Sequence, residues 1–549
     1  MNRNAPVVLL GAALAGSVAL KLYLTRDLTF LQDTWAILMD RRELTVDALL
    51  EPHNEHIIAI PVAAEQLLLR IFGMTSATPE YVLLAIVLAV TALLLFVYVR
   101  RLAGPWLALF AAVLVLFLGP AWEVLLWPFE LSLAGSVLFG IAMLLALDRD
   151  DRRGDVAACA FLCLSFGFST LGLPFAAAAA IDVLQKRRRR GLSRAVVVAV
   201  PVALFALWYL GWGSEAESHL SLRNVLLSPR FVADSAAVAV ASLFGFGESP
   251  LAGPADPVWA RPLLVALIAV FAYRQIQRPG FPPSFWPIAA AAGANWFLTA
   301  FNQSAGRAPV SSRYQYIGGV LILLLLAHLL RDVRFGRQAL AVGAVVTGIA
   351  LSVNLIFLRD GRDALMVQSV YTQADLAAIE IAKRTIDPEF SLGAEVAGTP
   401  TLVNVQAGKY LEAVDEYGSP AYTPAELGGA PDYGRRQADI VLSQALPLST
   451  VTHLGAYDPN DSGENCVALP AGKPSSTSEV RLAPGQTRIE LAPGPPAEFS
   501  LRRFASGEYP VPTEGAPGDS VTLLRIPRDK ATQPWFLHVE ASQRSRICR

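Results

Sequence analysis

Four groups of residues have the types and spacing that chemistry needs. Asp33 stands in Phe30-Leu31-Gln32-Asp33-Thr34-Trp35, a few residues past an apolar block, where a carboxylate can act as a base toward a hydroxyl at a membrane boundary. The same residue could instead cap a surface helix or pair with Arg41 or Arg42. Glu123 and Glu130 are seven residues apart, with Trp122 and Trp127 beside and between them, so the two carboxylates share a face if the segment is helical. In Leu50-Glu51-Pro52-His53-Asn54-Glu55-His56 two imidazoles flank an acid, a spacing that suits a metal ion and equally suits interfacial polar contacts. Arg313, in Ser311-Ser312-Arg313-Tyr314-Gln315-Tyr316, is permanently charged and forks onto phosphate oxygens, although arginine beside tyrosines is also a common interfacial anchor. Arg307, His219 and Arg223 repeat that idea more weakly.

The elements that must position these groups are apolar. Of 549 residues 54% are hydrophobic, mean hydropathy is +0.44, and the apolar residues come in blocks long enough to span a bilayer. The blocks are Pro6–Leu24, Tyr81–Val99, Pro105–Leu118, Leu131–Leu147, Val156–Phe168, Leu171–Leu184, Ala195–Trp212, Val258–Tyr273, Phe285–Phe301, Tyr314–Leu330 and Ala339–Leu358. They predict a polytopic helical membrane protein of about eleven spans. With a net charge of −1 and basic residues that sit between the apolar blocks rather than in one patch, charge encodes orientation, and nucleic acid is not expected as a partner. Arg100-Arg101, Arg149 with Arg152 and Arg153, Lys186 to Arg190, Arg274 with Arg278, and Arg331, Arg334 and Arg337 mark the cytoplasmic loops, with the N-terminus on the same side. Between two such loops, Ser169-Thr170-Leu171-Gly172-Leu173-Pro174 breaks Val156 to Leu184 into a tight hairpin. Phe231 to Phe246, apolar but carrying Asp234, Ser235 and Ser242, is expected to lie interfacial or re-entrant.

This parity divides the chain into a membrane domain (1–358, with a long outside loop at 26–78), a mixed helical and loop region (359–450) and a small β-sandwich-like domain (451–549), both of the latter outside the cytoplasm. Ile57 to Phe72 of the long loop reads as an amphipathic stretch along the membrane surface. In the tail, short alternating runs at Thr487–Leu491, Glu498–Phe504, Val521–Ile526 and Trp535–Ala541 are separated by Pro and Gly clusters, the pattern of a sandwich. Cys466 and Cys548 are the two cysteines of the tail and are expected to form a disulfide in an oxidising compartment. The tail's Trp535 and Tyr509 read as core aromatics that could also stack on a sugar ring.

In this order the features resemble the C-superfamily of glycosyltransferases (GT-C), multi-spanning enzymes that use polyprenyl-phosphate sugars. The resemblance rests on Asp33 in a long first outside loop, on Glu123 or Glu130 in the next, and on Arg313-Tyr314 opening a late helix. It covers the membrane half only. One departure is Gln32, where many relatives carry a second acid beside the first. The resemblance implies inverting transfer from a polyprenyl-phosphate sugar donor to a lipid or polysaccharide acceptor on the outer face of a bacterial plasma membrane. Asp33 would be the base, and Glu123, Glu130, Arg313, Tyr314, His53, Glu55 and His56 would contact substrate. No cofactor is required by it, and a divalent metal is the one the acidic motif leaves open. The competing classes are a transporter or flippase, which needs ionisable groups near the bilayer midplane, and a non-enzymatic envelope-assembly protein. The helices are almost free of ionisable groups, His328 being the nearest exception, which disfavours the transporter.

Overall fold

The computed structural model describes residues 4–548 except 191, 217, 248–249, 252–255, 278, 305, 332, 393–401, 403–404, 447–448, 451–457, 459–465, 470–477, 514–516 and 542, and the side chains of 187–190, 192–193, 215, 449–450 and 478. The chain forms two compact units. The first comprises Met1–Leu28, Asp40–Ile71 and Ala77–Leu365, the second Thr29–Met39, Phe72–Ser76 and Met366–Arg549.

Each of the eleven apolar blocks is a helix. They are α1 (Ala5–Thr25), α5 (Thr78–Ala103), α6 (Pro105–Leu116), α8 (Leu131–Leu147), α9 (Arg152–Phe168), α10 (Gly172–Arg190), α11 (Val196–Gly211), α13 (Arg261–Gln277), α14 (Phe285–Phe301), α15 (Ser312–Leu329) and α16 (Arg337–Ala382). Between them lie α2 (Asp33–Asp40), α3 (Val46–Leu50), the amphipathic α4 (Ala59–Phe72), α7 (Trp122–Leu126) and α12 (Leu222–Leu243). Among the described residues seven helices are long and apolar enough to cross a membrane, or eight if the bent pair Pro105–Leu116 and Gly119–Leu126 makes one span. The protein is thus a polytopic helical membrane protein with a C-terminal sheet domain.

The bend after α6 has a local cause. Gly119 sits so close to α16 that a Cβ there would lie 2.1 Å from the carbonyl oxygen of Asn354, and its N–H donates to the Asn354 side chain at 2.9 Å. At the same break Lys21 of α1 donates to the carbonyl of Leu116 at 2.8 Å, placing a cation at the C-terminal end of α6, where the helix dipole favours it. The expected hairpin is present, α9 and α10 being separated at Ser169 to Leu171.

By composition α12 is one of the seven, yet it runs across the bundle rather than through it. Asn224 near its start donates to the carbonyls of Phe301 and Gln303 at the end of α14. Ser242 in its last turn donates to Gln315 in the first turn of α15. The short loop 302–311 keeps those two helix ends on one side, so both ends of α12 lie there too. Its buried Asp234 takes a bidentate pair from Arg261 at 2.7 and 3.0 Å, which offsets the cost of burying the carboxylate. At the opposite end of the bundle Arg194, 1% exposed, lies within 3.2 Å of Asp150, Asp155 and Asp182 and so ties together the ends of α8, α9 and α10.

One difference from the sequence reading concerns α16. The expected span at 339–358 continues without a break to Ala382, into the expected helical and loop region, as a single helix of 46 residues, about 69 Å at 1.5 Å per residue. No proline interrupts it, and its glycine at Gly361 is accommodated against the Trp122 ring, with Trp122 Cβ 2.5 Å from where a Cβ would stand.

In the second unit the tail adds α17 (Ala407–Tyr417), α18 (Pro424–Gly429) and α19 (Asp432–Ala445), followed by two antiparallel sheets. The strands are β1 (Ser449–Thr450), β2 (Cys466–Leu469), β3 (Ser478–Leu482), β4 (Gly485–Leu491), β5 (Glu498–Arg502), β6 (Val511–Pro512), β7 (Ser520–Ile526), β8 (Trp535–Glu540) and β9 (Ser545–Cys548). Their orders are β1-β7-β4-β9-β2 and β3-β8-β5-β6. Alternate residues are buried along β5 and β8, Phe499 and Leu501 in one and Trp535, Leu537 and Val539 in the other, as a sheet with one covered face requires. Cys466 and Cys548 are bonded directly across β2 and β9. The residues 451–457, at the expected start of this domain, lie outside the described residues.

Candidate active site

At the end of the first unit where α12 lies, a cavity of about 420 Å³ opens among the loops. Its wall collects residues far apart in sequence. His53, Glu55 and His56 come from the segment before α4, Glu130 precedes α8, and Arg313 and Tyr314 open α15. Arg307 and Asn302 come from the loop between α14 and α15, and Thr170 from the hairpin between α9 and α10. The remainder is largely apolar and aromatic, with Phe129, Phe205, Trp208 and Ile317 among it, the usual mixture of an organic-ligand pocket with a few polar anchors.

The His53–His56 segment is a two-residue turn. His53 and His56 exchange both backbone hydrogen bonds at 2.9 Å, and Asn54 takes φ +51°, a left-handed conformation that asparagine tolerates better than most residues. The turn is fixed from behind by Arg41, which is 6% exposed and donates at 2.9 Å to each of the carbonyls of Glu51 and Pro52. The carbonyl of Arg41 in turn accepts from Gln66 on α4. Trp208 of α11 donates at 2.7 Å to the carbonyl of Leu50, which ties the turn to the bundle.

On the cavity side Glu55 Oε1 accepts from Arg307 at 2.5 Å, while its Oε2 is buried with no hydrogen-bond partner among the described residues. His56 shares a hydrogen bond through Nδ1 with Thr170, and its Nε2 lies 3.6 Å from Glu55. Burial lowers the affinity of His56 for a proton, the nearby Arg307, His53 and Arg313 lower it further, and Glu55 only partly opposes them. The His53 ring packs on Phe129 with centroids 5.0 Å apart. Among the described residues no three of His, Cys, Asp and Glu come together closely enough to hold a metal ion, and the Glu55 carboxylate turns to Arg307.

Glu130 is 2% exposed and lines the cavity. Glu123 does something else. Its Oε2 accepts the backbone N–H of Arg313 at 3.1 Å and lies 3.5 Å from the Arg313 Nε, so it caps α15 and steadies the guanidinium. Ser312 reciprocates by accepting the Glu123 N–H at 3.1 Å. The structure therefore brings together His53, Glu55, His56, Glu130, Arg313 and Tyr314, with Glu123 behind Arg313. Asp33 is not among the cavity-lining residues. It opens α2 in the second unit, where Trp35 of the same helix packs edge-on against Tyr410 with centroids 5.9 Å apart.

Sequence reasoning missed Thr170 and Arg41 and gave Arg307 too little weight. Arg307 could have been found as a basic residue just ahead of Arg313 in the same loop. Nothing local marks Thr170, which lies 114 residues from His56.

No protein-family model matches the sequence, and no curated protein matches it. Among solved structures the chain is similar to the crystal structure of ArnT from Cupriavidus metallidurans bound to undecaprenyl phosphate, at 13% identity and a TM-score of 0.46, over 82% of this chain and 96% of that one.

Proposed function

We propose that this protein is a membrane glycosyltransferase that moves a sugar from a polyprenyl-phosphate donor to an acceptor on the extracytoplasmic face, with inversion at the anomeric carbon. The observation that carries the reading is the pair Arg307 and Arg313 on the wall of one largely apolar cavity at an end of the helical bundle. Two guanidiniums beside aromatic and aliphatic walls suit a lipid phosphate that arrives from the bilayer with its sugar attached.

In the proposed reaction the acceptor O–H gives its proton to a carboxylate, Asp33 in the reading from sequence or Glu130 of the cavity wall, and the oxygen attacks the anomeric carbon. The bond from that carbon to the phosphate oxygen breaks, and its electron pair leaves with the polyprenyl phosphate, whose added charge Arg313 and Arg307 neutralise. Glu130, His53 and Tyr314 would orient sugar hydroxyls, and Glu55 and His56 would hold Arg307 and the turn in place. A phosphate leaving group so stabilised needs no general acid. The acceptor, lipid or polysaccharide, would enter from the outer side, and the C-terminal unit would lie on that side.

The test is transfer by purified protein from a panel of radiolabelled polyprenyl-phosphate sugars, with Asp33→Asn, Glu130→Gln and Arg313→Ala alongside. Release of sugar that Asp33→Asn abolishes, and that Arg313→Ala lowers through the donor KM, supports the assignment. Full activity in Asp33→Asn with loss in Glu130→Gln would move the base to Glu130. No release across the panel from folded protein would sink the enzyme reading.

A further inference from the structure

The tip of the α9–α10 hairpin holds one polar side chain in a fixed place. Ser169 ends α9, its N–H still donating to the Ser165 carbonyl, and Gly172 starts α10. The turn between them is tight, since the carbonyls of Ser169 and Thr170 accept the N–H groups of Gly172 and Leu173 at 3.0 and 2.9 Å. It is also packed closely on α9, because a Cβ at Gly172 would stand 2.7 Å from the Phe166 ring. Thr170 is thereby presented on the cavity wall, where its hydroxyl and the His56 Nδ1 share a hydrogen bond. The Ser169 hydroxyl stands farther from that nitrogen, at 3.5 Å, and accepts the Leu171 N–H at 3.3 Å.

That bond decides which way the imidazole faces. With Nδ1 turned to the hairpin, Nε2 lies 3.6 Å from Glu55 Oε1, the oxygen that also takes Arg307 at 2.5 Å. A nitrogen lone pair aimed at a carboxylate oxygen is repelled, so Nε2 carries its hydrogen whether the ring is neutral or charged. Thr170 suits both states, since a hydroxyl donates to a bare Nδ1 and accepts from a protonated one. At 3.6 Å the Nε2–H is too far from Glu55 for a good hydrogen bond, and the His56 side chain is 30% exposed, on the wall of the cavity. Three donors thus stand in one region. His56 Nε2–H and Arg307 both approach Glu55 Oε1, and Arg313 lines the same wall, near enough for its charge to act on the imidazole.

We infer that Thr170 is a positioning residue: it fixes His56 with its Nε2–H toward the cavity, where that N–H donates to a phosphate oxygen of the lipid-linked donor beside Arg307 and Arg313. The identity of the ligand rests on the function proposed above; the orientation of the ring does not. A phosphate accepts from several donors at once, which is what an Nε2–H and two guanidiniums on one wall can offer. The arginines supply charge, and His56 supplies direction. A single N–H on a ring held from behind points at one oxygen, so the phosphate, and the anomeric carbon bonded to it, take one place relative to the acceptor. His56 thus has a task beyond steadying its own turn, and Thr170 acts through it.

The experiment uses the full-length protein in detergent, isotope-labelled at its histidine nitrogens for NMR, with His56→Asn to assign the His56 signals. The wild type should show hydrogen on Nε2, and farnesyl phosphate should shift that N–H signal. Thr170→Val keeps the shape and removes the hydroxyl, so it should mix the two ring forms and weaken farnesyl phosphate binding by about three- to tenfold, the worth of one hydrogen bond. Thr170→Ser should restore both. Farnesol, which lacks the phosphate, should not distinguish wild type from Thr170→Val. Hydrogen on Nδ1 alone in the wild type, equal loss in Thr170→Val and Thr170→Ser, or inorganic phosphate binding as tightly as farnesyl phosphate would overturn the inference. The two proposals fail differently. A wild type that binds no farnesyl phosphate sinks the donor reading and the ligand assigned here with it, whereas binding that Thr170→Val leaves unchanged sinks this inference alone.

Discussion

On the proposed function the Glu55–Arg307 pair would link stability to donor recognition, and its substitution should separate the two. The side chains are 24% and 16% exposed, between a surface pair and a fully buried one. With charge centres about 4 Å apart and an effective dielectric constant near 20, the attraction is about 4 kcal/mol before desolvation. Exposed pairs retain up to about 1 kcal/mol, and removing one partner of a buried pair costs about 3–5 kcal/mol, so a coupling of about 2 kcal/mol is expected. A double-mutant cycle of Glu55→Gln, Arg307→Gln and both, read by thermal unfolding in detergent, measures it. Donor affinity should respond asymmetrically. If Arg307 grips the lipid phosphate, Arg307→Gln loses a charge-assisted hydrogen bond of about 1.5–3 kcal/mol, a ten- to hundredfold weaker Kd for a polyprenyl phosphate. Glu55→Gln leaves the guanidinium charged and removes a carboxylate from beside the phosphate, so its Kd should move only a few-fold. A Kd within twofold of wild type in folded Arg307→Gln, or a coupling below about 0.5 kcal/mol, would refute this reasoning.

Three further outcomes follow from the same geometry. Arg41→Ala should destabilise the protein by about 3 kcal/mol, since two charge-assisted hydrogen bonds to the Glu51 and Pro52 carbonyls disappear, and Arg41→Lys should recover less than half because an ammonium lacks the fork that spans both; thermal unfolding of the two variants checks it. Because His56 is held below its ordinary proton affinity, the unfolded chain binds more protons than the folded one at and below the usual histidine value of about 6.5, so stability should fall as pH drops through that range. Thermal midpoints from pH 5 to pH 8 should show this slope, and His56→Asn should flatten it. Cys466→Ser opens a link between residues 82 apart, which by loop entropy stabilises the domain by about 4 kcal/mol, so protease resistance of the tail should drop sharply in the variant and in reduced wild type alike.

The helices of the first unit were legible because the length of an apolar run is a local property. Each of the apolar blocks is a helix, and the break at Ser169 to Leu171 falls where the polar residues and Pro174 put it. The strands at β4, β7 and β8 were legible for the same reason, since alternation needs only neighbours two apart. What escaped was anything decided by a distant partner. Asp33 was read with the membrane half because it follows α1, but α2 carries a buried face of Trp35, Ile37, Leu38 and Met39, and a buried face goes where a complementary surface exists. The complementary surface includes Tyr410, 375 residues later, and no local pattern names it.

Glu123 shows why the sequence overestimates the number of substrate contacts in such a site. A loop that turns at the end of a bundle exposes helix ends, and each first turn leaves N–H groups without partners. At the start of α15 the nearest acceptor is the Glu123 carboxylate, and one side chain both satisfies the Arg313 N–H and faces its guanidinium. Arg41 plays the mirror role toward the carbonyls of Glu51 and Pro52, and Arg307 restrains Glu55. In composition these residues cannot be told from ligands of a phosphate or a sugar, since the same charges that bind a substrate also hold irregular backbone in place. Only the side-chain directions divide them. Arg307, Arg313 and Glu130 reach the cavity wall, whereas Glu123 and Arg41 stand behind it. Substitution of the second set should therefore lower stability and kcat together through loss of order, and substitution of the first should act chiefly through KM for the donor.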